Sequence, residues 1–131
     1  MPKSNTMKQL VLNFLARGVS VSQPAQLYLA LYSTNPGDGD TGTEVSYSGY
    51  QRQAVSFSAP VISGGAAIIQ NSAQIQFGVV PSAAGSIAYA GLRTAATEGD
   101  LVYYGPLAAT YDLNQGVQPI IPVNSLSVAE S

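Results

Sequence analysis

The chain has 131 residues, with five lysines and arginines, seven aspartates and glutamates, and no cysteine, histidine or tryptophan. Without cysteine there is no disulfide, thiolate metal site or cysteine nucleophile, and without histidine there is no Ser-His-Asp triad and no His-liganded zinc. Five cations in a net charge of −2 leave no basic face for phosphates, so no nucleic-acid partner is expected.

Charged residues are 9% of the chain, where a soluble domain carries about a quarter. Charge-poor surfaces associate, and interface cores are depleted in charge. The composition therefore points to a protein that binds copies of itself or other proteins, with no catalysis and no cofactor. The length suits one domain, residues 1–131, able to bury about two-thirds of its unfolded surface. No run approaches the roughly twenty apolar residues of a membrane span, so no membrane partner is expected. The first apolar stretch is broken by Asn13, Arg17 and Gly18 and does not read as a secretory signal.

Met7, Leu10, Val11, Phe14 and Leu15 fall at i, i+3, i+4, i+7 and i+8, one stripe of an amphipathic helix over residues 4–18. Ser4, Asn5 or Thr6 supplies its cap and Gly18 its left-handed end. A helix this short needs something to pack on. From Gln26 the period becomes two: Leu27, Leu29 and Leu31 alternate with Tyr28, Ala30 and Tyr32, a strand covered on both faces. Asn35 to Gly42 is the densest turn chemistry in the chain and predicts a surface loop.

Strand-like pieces then follow at Gln53–Phe57, Ala66–Gln70, Ile75–Phe77, Ser86–Leu92, Leu101–Tyr104, Val117–Val123 and Leu126–Val128. The turn signals between them are Pro60, Gly64-Gly65, Asn71-Ser72, Pro81, Gly85, Glu98 to Asp100, Gly105-Pro106 and Asn114 to Gly116. No helical period separates the strands, which argues against a parallel α/β sheet. The expected fold is all-β: an antiparallel sandwich of about seven to nine short strands over 26–128, with one N-terminal helix.

Asp38, Asp40 and Glu44, interleaved with glycines, are the best metal candidates, because such carboxylates can wrap a hard cation. They lack the further oxygens of an EF-hand loop, and aspartates in turns commonly bond their own backbone, so no metal is expected. Glu44 and Arg52 flank a turn at Ser46 to Gly49 and can meet as an ion pair if the flanks pair antiparallel. Eight tyrosines outnumber three phenylalanines, and tyrosine favours interfaces and sugar-binding grooves. Tyr103 and Tyr104 are adjacent, so they point to opposite faces of a strand. The interface candidates are Asp38, Glu44, Tyr47, Tyr50, Arg52, Tyr103 and Tyr104.

The run from Tyr28 to Asp38, then Thr41 to Val45, then Gly49 to Val55, resembles a family of small tailed-phage proteins labelled phage tail-fibre or phage structural protein. Its members share an N-terminal helix, a strand reading like YLALYTTNP, a GTEV turn and a GYARQAV strand. Asn71, Phe77 and Gly105 to Leu107 fit the family's later pattern. Tyr47-Ser48 stands where the family has a glycine run, Gln51 replaces an alanine, and Gly85-Ser86-Ile87 stands near a missing tryptophan-glycine motif.

The resemblance implies a virion protein made in the host cytoplasm. A capsid decoration subunit is the first expectation. A tail, collar, baseplate or fibre component is the second, and a carbohydrate-binding adhesion module is the alternative of another class. The partners implied are phage capsid or tail proteins and the chain itself, with a trimer as first expectation.

Overall fold

The computed structural model describes residues 1–130. The elements in chain order are α1 (Asn5–Arg17), β1 (Leu27–Tyr32), β2 (Gln53–Val55), β3 (Val61–Ser63), β4 (Ala66–Gln70), β5 (Ile75–Gln76), β6 (Ser86–Arg93), β7 (Leu101–Asp112), β8 (Ile120–Ile121) and β9 (Ser127–Glu130). All named strand pairs are antiparallel. They form a four-stranded sheet in the order β2-β1-β6-β7, a three-stranded sheet β3-β4-β9 and a pair β5-β8. One core lies between them. Leu29 and Leu31 of β1, Leu92 of β6, Ile75 of β5 and Val128 of β9 share it with Phe77 and Val80. The all-β sandwich with one helix is thus the observed architecture.

β1 is central in its sheet, and Leu29 to Tyr32 are buried on both faces, as period two with apolar residues in both registers requires. The helix cap falls on Ser4, whose Oγ accepts from the Met7 amide and donates to the Leu101 carbonyl. The Ser4 amide donates to Val102 O at 3.0 Å and the Asn5 amide to Asp38 O at 2.8 Å. α1 is thereby stitched by its N-terminus to β7. Gly18 closes the helix at φ 68°, in the left-handed region that a Cβ disfavours.

Three departures from the sequence reading have local causes. The turn expected at Gly105-Pro106 is strand: β7 runs through it to Asp112. Proline lacks the amide to continue a ladder, but β7 is an edge strand, where a missing donor is tolerated. The proline instead marks an irregularity. Tyr89 pairs with Pro106 and Ile87 with Tyr111, so residues 107–110 bulge out opposite Ala88 alone. The strand expected over Val117–Val123 shrinks to Ile120–Ile121, because Pro119 and Pro122 bracket it and remove donors on either side. β3 was not anticipated. It is an exposed edge strand turned onto β4 by Gly64 and Gly65, both at positive φ.

Asn71 locks the two halves of the smaller sheets together. It is fully buried. Its Nδ2 donates to the carbonyls of Ala73 and Pro122, and its Oδ1 accepts from the Leu126 amide, all at 2.9 Å. Asn71→Ala removes three hydrogen bonds and strands their partners, and should cost about 3 kcal/mol. Asn71→Asp should cost more, because it faces a buried carboxylate toward two carbonyls. Urea denaturation of the two variants checks both the size and the order; a loss under about 1 kcal/mol would contradict this role.

Candidate functional site

The loop from Ser33 to Thr43 folds back on itself. The Gly37 amide donates to Asn35 Oδ1, Thr41 N to Pro36 O, and Thr43 N to Thr34 Oγ1. At Gly42 a Cβ would fall 2.7 Å from Pro36 backbone atoms, so only glycine lets the two arms of the loop approach this closely.

This folding separates the three carboxylates that sequence spacing placed together. Asp38 accepts from Lys8 and from the Tyr104 hydroxyl. Asp40 forms a two-point fork with Arg93, 2.8 Å on each oxygen. Glu44 forms a second fork with Arg52, at 2.9 and 2.8 Å, and accepts from the Tyr50 hydroxyl at 2.6 Å. Each carboxylate thus already faces a cation of its own. Among the described residues no three acidic side chains converge as a metal site would need.

Arg93 is the centre of this arrangement. It ends β6, where the ladder slips between Leu92 and Arg93, and such a slip re-aims a side chain. Nε donates to Glu98 O at 3.2 Å, Nη1 to Tyr32 Oη at 2.9 Å and to Asp40, and Nη2 to Asp40 and to Gly99 O at 2.9 Å. All five guanidinium protons therefore have acceptors. Arg52 reaches the same loop, with Nη1 on Ala95 O at 3.0 Å and Glu98 O at 2.7 Å. The Glu98 carbonyl bridges both arginines. Glu98 and Asp40 both sit at positive φ, 55° and 56°. Each such residue costs on the order of 1–3 kcal/mol unless its surroundings hold it, and here the same guanidinium touches both.

The tyrosines also turn inward. Tyr47 donates to Gly78 O at 2.8 Å, and Tyr50 accepts from the Leu31 amide at 3.1 Å. The Tyr50 ring stacks on Phe77 with centroids 6.1 Å apart and meets Tyr47 edge-on at 5.5 Å. Tyr103 donates to Glu130, which Lys3 also holds at 2.8 Å. Every interface candidate named from sequence thus makes contacts within the chain. The Glu44–Arg52 pair forms, but its flanks do not pair with each other: Glu44 bridges to Tyr32 and Gln53–Val55 pair with Leu27–Leu29, both along β1. Arg93 and Asn71 were not singled out as site residues. The available signal was position: no charged residue lies between Arg52 and Arg93, so a lone arginine closing an apolar strand called for a partner.

Large apolar side chains stay exposed elsewhere: Leu12, Phe14 and Leu15 on α1, and Val61 and Ile62 on β3. The molecule is thus a charge-poor all-β domain that pairs its polar groups internally and leaves apolar side chains at its surface. The sequence family described as Podophage GP4 fiber I protein gp80 matches residues 2–129, and the chain belongs to that family. It is a bacteriophage virion structural protein. Among curated proteins no match is found.

The ion pairs set the pH response. Burial pushes the Glu44 carboxyl up, but hydrogen bonds from Arg52 and Tyr50 overcome this and leave it below the usual carboxylate range. Lys8 and Tyr104 lower Asp38, and Lys3 and Tyr103 lower Glu130. A carboxyl depressed on folding stabilises above its unfolded value, about 4, and that stability is lost as pH falls through the folded value. Burial raises Tyr50 and Tyr103, reinforced by the hydrogen bonds to Glu44 and Glu130. A phenol raised on folding loses its contribution as pH climbs from about 10 through the folded value. The thermal midpoint should therefore be level through neutral pH and fall at both ends, with Glu44→Gln flattening the acid limb. A midpoint that rises on acidification to about pH 3 would contradict the ion-pair assignment.

Proposed function

We propose that this chain is a non-catalytic subunit of an external virion fibre. It forms one binding domain, made in the host cytoplasm, that assembles with copies of itself and docks on other phage proteins. The family match over residues 2–129 carries this reading. A trimer is the expected assembly, and its work is adhesion by many modest contacts, which multivalency adds together.

Capsid decoration is the second reading, favoured by shape. The strands from Leu27 to Glu130 fold back into three small sheets and form no repeating shaft. Quantitative mass spectrometry of purified virions separates the two. The fibre reading expects a copy number that is a small multiple of the portal protein's. A copy number comparable to the major capsid protein's would overturn it in favour of decoration.

A further inference from the structure

Only the first turns of α1 have support beneath them. Met7 packs against the core, and Leu10 and Val11 are half-buried. Beyond Val11 the apolar stripe runs off the sheets: Phe14 is 54% and Leu15 74% exposed, with Leu12 beside them at 65%. Scattered exposed apolar residues are ordinary. A helical stripe that begins on a core and continues uncovered is a surface lacking its partner.

A second apolar surface lies at the irregularity of β7. Leu107 and Ala108, in the stretch thrown out of the ladder opposite Ala88, line a cleft of about 750 Å³. Pro106, Leu107, Ala108, Tyr111, Ile120 and Ile121 are among its lining residues; no charged side chain lines it, and Met1 at the N-terminus does.

Charge relates the two surfaces. Residues 1–25 carry Lys3, Lys8 and Arg17 and no carboxylate, while all seven carboxylates follow Gln26. Lys3 and Lys8 are paired within the chain. Among the described residues Arg17, at the outer end of α1, has no ion-pair partner and hydrogen-bonds to Asn13. Asp112 follows Tyr111 at the end of β7 and has no ion-pair partner among the described residues. Packing α1 on the α1 of another copy would bring like charges together, which disfavours it.

We propose that the outer half of α1 seats in the β7 cleft of a second copy, with Phe14 and Leu15 in the cleft and Arg17 toward Asp112. This rests on the self-assembly proposed above and names its contact. The mode is an amphipathic helix in an apolar groove. Because helix and groove are different surfaces, the contact is head-to-tail and closes into a ring when the rotation allows.

The test uses two full-length variants altered at exposed positions, each checked by circular dichroism for its fold. One carries Phe14→Asp with Leu15→Asp, and the other carries Ala108→Arg. Sedimentation equilibrium should show an oligomer for the unaltered chain and association at least about tenfold weaker for each variant alone. An equimolar mixture of the two should form a heterodimer, because one variant keeps an intact cleft and the other an intact helix. An Ala108→Arg protein that still oligomerises alone would overturn the proposal and place the helix elsewhere. So would an unaltered chain that stays monomeric. Binding of the unaltered chain to particles lacking it is read separately, so a monomer that still binds particles overturns this contact and leaves the virion role standing.

Discussion

The fork between Arg93 and Asp40 is the contact on which the rest of the large sheet's loop end depends. A guanidinium placed at the end of a strand, largely out of water, is costly unless every proton finds an acceptor. Here Tyr32, Asp40, Glu98 and Gly99 supply all of them. In return, one side chain fixes the 33–43 loop and the 94–100 loop against each other. Arg52 adds a second hold on the Glu98 carbonyl. The strained conformations of Asp40 and Glu98 persist because both loops are tied from two directions.

Much of this was legible in the chain. The change of period at Gln26 marks the passage from helix to strands, Gly18 marks the helix end, and the run Ser4, Asn5 and Thr6 marks its start, of which the structure uses Ser4, because caps are local chemistry. The Glu44–Arg52 pair could be read because its partners are close in the chain, although it is β1, pairing with both flanks, that aligns them. The Arg93–Asp40 pair could not be read from spacing. Its partners are 53 residues apart in sequence and meet only because β1 and β6 are neighbours in the sheet. Gly105-Pro106 reads as a turn in the sequence because turns and strand irregularities use the same residues, whereas in the structure it is paired strand leading into the bulge at 107–110. Only the sheet's edge tells them apart.

The same economy of charge shapes the surface. Two of the five cations tie loops together, Lys8 ties α1 to the 33–43 loop, and Lys3 ties the N-terminal segment to β9. The tyrosines that composition suggests for an interface serve the interior: Tyr50 and Tyr32 bridge acid, arginine and backbone. What is left at the surface is mainly apolar area, with Phe14 and Tyr111 part of it. It is concentrated on a helix held at one end and on a cleft opened by a strand irregularity. A subunit built this way rests on its buried apolar core, ties its loops with polar contacts and leaves apolar area at its surface.

The most direct measurement is amide hydrogen exchange on Arg93→Lys, with the stability read from denaturation in the same samples. Lysine keeps the positive charge but offers a point of three donors instead of a planar fork. If the fork holds the two loops, the amides of 33–43 and of 94–100 should lose protection together while those of β4 and β9 keep theirs, with a stability loss of about 2–3 kcal/mol. Unchanged protection in both loops would show that charge alone suffices and would contradict the account.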